Sequence, residues 1–226
     1  MKKLFLFSLL FAAAFANKSY AQSTEVYKRK GYTLTVENQD PAFSKPVIQK
    51  LVETFFEVYP KLSNTYNSKA TKNVKFVIDT AYGGVAATAN ARVVFSSKYM
   101  TKHPNDIDVV THEVMHIVQD YGDSKGPGWL TEGIADYARF KFGVYNAGAN
   151  WKLPAYKSTQ SYENAYRVTA RFLVWVETNV TTGLVKNFDA QLRTHTFTDD
   201  SWKNATGKTL DELWAAYSAN PDLNMI

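Results

Sequence analysis

The stretch from Ile107 to Tyr121 sets the strictest condition on how this chain can fold. Ile107, Val110, Val114, Ile117 and Tyr121 recur at helical spacing, and the polar side of the same helix carries His112, Glu113 and His116. Such a helix must bury one face in a core and still present two imidazoles and a carboxylate to a polar space. Asp106 is expected as its N-cap and Gly122 as its stop.

The spacing has a chemical consequence. His112 and His116 lie one helical turn apart on one face, so both rings can point at a single ion. Neutral imidazole is a good zinc ligand. Glu113 sits about 100° round the helix from His112, too far to share that ion, but well placed to take a proton from water as a general base. The H-E-x-x-H pattern marks zinc-dependent zincins generally. A site with an open position for water needs a third protein ligand. The chain has no cysteine, and His103 and His195 read as solvated loop residues, so the third ligand is sought among acids. Glu132 is the candidate. It lies on the next expected helix, Trp129 to Phe142, where Leu130, Ile134 and Tyr137 can face the core. Asp136, one turn further on, can accept the second N–H of a ligating imidazole and fix its tautomer. Gly133 and Ala135 are small where the two helices are expected to approach.

The rest of the pattern places this helix pair. Tyr32–Glu37 alternates as a strand, Val74–Ile78 is β-branched, and Val85–Ser96 reads as a hairpin or a strand bent near Asn90-Ala91. An amphipathic helix runs from Pro46 to about Tyr59, with Pro60 expected to help end it. Further helices fit Tyr162–Thr178, Leu184–Arg193 and Leu210–Ser218. Strands precede helices, which points to an α+β class with the sheet in the N-terminal half. The Val85–Phe95 segment is a candidate edge for pairing with an extended substrate.

Residues 1–21 read as a signal peptide. Lys2 and Lys3 precede an apolar run from Leu4 to Ala16, too short for a bilayer span, and small residues offer cleavage after Ala16 or, as preferred here, Ala21. The expected locations are therefore periplasmic or extracellular, with no stable membrane insertion after cleavage. Losing Lys2, Lys3 and Lys18 lowers the formal charge from +5 to +2, leaving 23 basic against 21 acidic residues. That balance, without a basic run, argues against nucleic acid as a partner. Without cysteine, stability must come from the core rather than from disulfides.

The chain resembles the plant basic secretory protein family, also described as peptidases of plants and bacteria. H-E-V-M-H, then fifteen residues, then E-G-I-A-D-Y from Glu132 to Tyr137 carries the likeness. It continues in Gly84-Val85-Ala86 through Asn90 to Val94 and Ser96, in Y-R-V-T-A-R-F-L from Tyr166 to Leu173, and in G-K-T-L-D-E-L-W from Gly207 to Trp214. The resemblance implies a zincin-like fold of the glutamate-liganded (gluzincin) type, one Zn2+ ion, and a secreted proteolytic or defence-associated role. By position, His112, His116 and Glu132 match the family's metal ligands, Glu113 its catalytic acid, and Tyr166 a tyrosine facing the cleft. Ala165 departs from the pattern, because a glycine is expected before that tyrosine.

The expectation is thus a single zincin-like metallopeptidase domain over residues 22–226. It has an N-terminal mixed β-sheet with the active-site helix, to about residue 122, and a mainly helical C-terminal part. The expected substrate is a peptide or protein and the expected state a monomer, with Tyr166 as candidate donor to the oxyanion. Two other readings stand beside it. One is a zinc amidase acting on cell-wall peptide. The other is a zinc-containing binding module without turnover, against which the intact Glu113 weighs.

Overall fold

A computed structural model describes residues 23–124 and 126–223. The signal-peptide reading of residues 1–21 lies outside them. The N-terminal half is a five-stranded mixed sheet of β1 (Ser23–Arg29), β2 (Tyr32–Asn38), β3 (Asn73–Asp79), β4 (Ala86–Ala89) and β5 (Arg92–Ser96), in the order β1-β2-β3-β5-β4. The central pairs β2–β3 and β3–β5 are parallel; the outer pairs β1–β2 and β4–β5 are antiparallel. Helix α1 (Lys45–Tyr66) makes the crossover between β2 and β3. The β4–β5 hairpin turns at Asn90 and Ala91, with φ of 49° and 58°. Two successive positive φ values give the turn the twist that a two-residue hairpin needs. This hairpin leaves β4 on an edge of the sheet.

Helix α1 runs straight through Pro60, against the expectation that the proline ends it. Losing one backbone hydrogen bond and adding a ring clash costs about 3 kcal/mol. The buried stripe Leu51, Val52, Phe55, Val58 and Tyr59 continues through Leu62 beyond the proline, and that packing outweighs the local cost. Phe55 meets Phe76 edge-on at 5.6 Å, and Phe76 meets Phe95 at 5.0 Å, joining α1 to the buried face of the sheet.

Past β5 the chain is helical: α2 (Ser97–Lys102), α3 (Val109–Gln119), α4 (Gly128–Phe142), α5 (Tyr166–Asn179), α6 (Leu184–Arg193), α7 (Asp200–Thr206) and α8 (Leu210–Ala219). Helix α3 starts later than expected. Asp108, not Asp106, holds the N-cap position, and its carboxylate accepts the Val144 and Tyr145 amides. Asp106 pairs instead with Arg139 of α4. The helix ends at Asp120, in the left-handed region with φ 44°, two residues before Gly122. Its last carbonyls are bonded by other elements. Asn67 donates to Val118 at 2.9 Å, and Arg193 donates to Val118 and Gln119 at 3.3 and 3.2 Å. A cationic side chain there also suits the negative end of the helix dipole. Arg193 is itself held by the fully buried Asp189 at 2.7 Å and by the Tyr66 carbonyl at 2.8 Å.

The expected Tyr162–Thr178 helix is divided at Ala165 into a 3₁₀ turn (Tyr162–Asn164) and α5. Gly133 also has a different neighbour from the one expected. A Cβ at Gly133 would stand 2.3 Å from Thr169 Cγ2 on α5, so the missing side chain lets α4 approach α5, not α3. Thr169 is β-branched and its hydroxyl donates to the Tyr162 carbonyl at 2.5 Å, so it cannot easily turn away. Gly133→Ala should therefore destabilise the fold by about 1–3 kcal/mol, read as a lower denaturation midpoint. Thr169→Ser in the same chain should recover part of the loss, since it removes the obstructing methyl.

Candidate metal centre and cleft

Helix α3 leaves His112 and Glu113 buried and His116 half-buried on the wall of an open cleft of about 1170 Å³. Edge strand β4, Tyr82, helix α4, the 3₁₀ turn ending at Ala149 and the start of α5 line the remainder. The structure brings His112, His116 and Glu132 together. The two Nε2 atoms are 3.2 Å apart, and Glu132 Oε2 lies 3.2 Å from the first and 3.5 Å from the second. Asp136 Oδ1 stands 2.7 Å from His112 Nδ1. His103 stacks on Tyr99 at 4.5 Å, and His195 contacts the Tyr121 carbonyl at 2.9 Å; neither joins the cluster.

The shell around the rings fixes what they can do. Gln119 Nε2 donates to the Thr131 carbonyl at 2.9 Å, which turns its Oε1 to His116 Nδ1 at 2.7 Å. Both rings can thus donate from Nδ1, one to a carboxylate and one to an amide oxygen. That leaves a lone pair on each Nε2, facing the other and facing Glu132 Oε2. Three acceptors at this separation repel one another unless positive charge sits between them. For an ion bound tetrahedrally at 2.0–2.1 Å, the ligand-to-ligand edge is about 3.3 Å. The three observed separations, 3.2, 3.2 and 3.5 Å, meet that requirement.

Without a metal, protons supply the charge. Burial disfavours the charged His112 ring, but hydrogen bonds to Asp136 and Glu132 outweigh burial and raise its pKa to about 10. Burial likewise opposes ionised Glu132, yet His112 and His116 hold its carboxyl well below the usual carboxylate range. A raised histidine pKa stabilises the metal-free fold fully below its unfolded value of about 6.5, and the benefit is lost as pH climbs through about 10. A divalent cation must expel that proton. Binding at pH 7 to 8 should therefore release about one proton from His112 per ion, with affinity rising as pH rises. Calorimetry in buffers of different ionisation enthalpy measures both.

Two residues of the site were missed in the sequence. Gln119 follows His116 at helical spacing, a signal available but not distinctive for an amide. Thr88 carried no signal at all. Its hydroxyl lies 2.6 Å from Glu113 Oε2 and 3.0 Å from the Glu113 backbone carbonyl, tying β4 to the helix that carries both histidines. Tyr166 stacks on His112 with centroids 6.0 Å apart and is 54% exposed, so it faces the cleft and not the core. The charge of Glu132 and partial burial raise its pKa.

The backbone explains the glycine expected at Ala165. Ala165 has φ 59° and ψ −172°, and Tyr166 follows at φ 49°. The Ala165 conformation is one that essentially only glycine adopts without strain. Ala165→Gly should relieve it and raise stability by about 1 kcal/mol. A thermal melt tests this, and a fall in midpoint would show that the strain is absent.

A comparison with curated proteins finds no match. Among solved structures, the chain is similar to an aminopeptidase N family protein from Idiomarina loihiensis, with TM-score 0.56, 10% identity, 87% of this chain and 46% of that one covered. It is also similar to an M1 zinc metallopeptidase from Deinococcus radiodurans, with TM-score 0.45, 13% identity, 88% of this chain and 48% of that one covered. The chain thus spans about half the length of these neighbours. The first likeness shows the fold, which is zincin-like and α+β with a mixed N-terminal sheet and helical C-terminal part. The family model described as "Peptidase of plants and bacteria" matches residues 18–217, and the chain belongs to that family.

Proposed function

We propose that the protein is an exported, monomeric zinc metallopeptidase that hydrolyses peptide bonds in the periplasm or outside the cell. The observation that carries the reading is the convergence of His112, His116 and Glu132 on the edge lengths of a tetrahedron beside Glu113. In this reading the three residues hold the ion, and Asp136 and Gln119 orient the two imidazoles. A zinc ion there supplies Lewis acidity, acidifying water and polarising a carbonyl.

The chain's own residues do the rest. Glu113 is too far round α3 to share the ion, and Thr88 holds its Oε2 at 2.6 Å. Its carboxylate takes the proton from the attacking water and returns it to the leaving amine. Tyr166, kept protonated by its raised pKa, donates from its hydroxyl to the oxygen on which negative charge develops. The outer edge of β4 offers backbone groups to an extended substrate, so main-chain pairing gives binding and the cleft walls give selectivity. Among the described residues, no helix is long and apolar enough to cross a membrane, which is compatible with a freely exported domain.

Glu113→Gln should retain zinc and lose turnover by about 10²–10⁴-fold. Metal analysis and a general protein-digestion assay on both proteins test this. Full turnover by a zinc-loaded Glu113→Gln variant would sink the base assignment. Zinc in both proteins with turnover in neither would favour the binding-module reading, and cleavage of cell-wall peptide alone would favour the amidase.

A further inference from the structure

We propose that Arg167 selects substrates carrying a carboxylate, an inference that rests on the peptidase reading above. The cleft lining holds two arginines. Arg139 is buried, paired with Asp106, hydrogen-bonded to Asn146 Oδ1 at 3.1 Å, and stacked over Trp151 at 4.6 Å. Its charge is satisfied. Arg167 is exposed and has no hydrogen-bond or ion-pair partner among the described residues. Its charge acts on Tyr99, which places it towards the end of the cleft formed by Tyr99, Asp106 and Arg139. Asp106, the acid at that end, already accepts from both Tyr99 and Arg139. An uncompensated guanidinium therefore faces a space where substrate would lie.

Helix stability does not explain it. Arg167 is the second residue of α5, where a cation opposes the helix dipole, and no acid occupies that first turn. Arg171, one turn later, is by contrast tied to the Pro221 carbonyl at 2.8 Å. Arg167 follows Tyr166, which stacks on His112, and both residues line the same cleft as the histidines. A guanidinium presents a planar fork that matches a carboxylate. In a peptide, that carboxylate is either an aspartate or glutamate side chain or the free C-terminus.

Two peptide sets separate the sources. In one, both ends are blocked and a single Asp or Glu is replaced by Asn or Gln at successive positions. In the other, only the C-terminus changes, from acid to amide. Zinc-loaded wild type should favour the carboxylate member of one set by about tenfold in kcat/KM, the scale of a hydrogen bond to a charged group. The set that shows the preference names the source. Arg167→Gln should bring the ratio within about twofold, and Arg167→Glu should turn it towards lysine-bearing peptides. Because each ratio is taken within one protein, differences in folding or metal content cancel. A wild-type preference that survives in Arg167→Gln, or no preference in either set, would overturn the proposal. Fluorescence-polarisation binding of the same peptides in a Glu113→Gln background repeats the comparison without turnover. If no peptide is cleaved, the peptidase reading fails, while the binding ratio still decides the role of Arg167.

Discussion

Two ring nitrogens and a carboxylate oxygen held within 3.5 Å of one another, which need positive charge between them, are the constraint on which the rest of this structure depends. Without that charge, His112, His116 and Glu132 would repel one another. They are kept in place by bonds that run outward. Asp136 stops the His112 ring from rotating, and Gln119 does the same for His116 while reaching across to the Thr131 carbonyl. That last bond joins the end of α3 to the helix that carries Glu132. The relative position of α3 and α4 is thus set by the same polar contacts that aim the three acceptors.

Those contacts need rigid anchors. The C-terminal end of α3 is tied to α1 through Asn67 and to α6 through Arg193. Arg193 reaches the Tyr66 carbonyl, the Asp189 carboxylate and two α3 carbonyls at once. Such a pair contributes little net stability, but removing Arg193 would strand the fully buried Asp189, so the pair fixes geometry. On the opposite side, Gly133 lets α5 pack closely on α4, and α5 brings Tyr166 over His112. Close packing and buried ion pairs here serve the position of one small cluster.

The sequence made the cluster legible because helical spacing is a local property. His112, His116, Leu130, Ile134 and Tyr137 take their directions from the 3.6-residue repeat alone. The strands were legible for the same reason, since alternation over Tyr32–Glu37 marks a surface half in a core. What stayed hidden was set by partners far along the chain. Pro60 sits inside α1 because Leu62 beyond it finds a buried slot. Asp106 gives up the capping role for Arg139, thirty-three residues away. Strand β1 is exposed along nearly its whole length, so no alternation marked it. Thr88 touches Glu113 only because the hairpin sets β4 against α3. Ala165 lay between these cases. Its departure from the family pattern was visible, but the strain behind it depends on a backbone turn that composition does not reveal.

Thr88 shows how the two halves of the molecule meet. Strand β4 belongs to the sheet, yet its threonine holds both a side-chain and a main-chain oxygen of Glu113. One hydroxyl proton serves two acceptors, so it cannot fully satisfy both at once. Edge strand β4 and the Glu113 carboxylate are thus joined directly through Thr88. In the proposed peptidase reading, a substrate paired along that edge would lie on the strand that touches the Glu113 carboxylate.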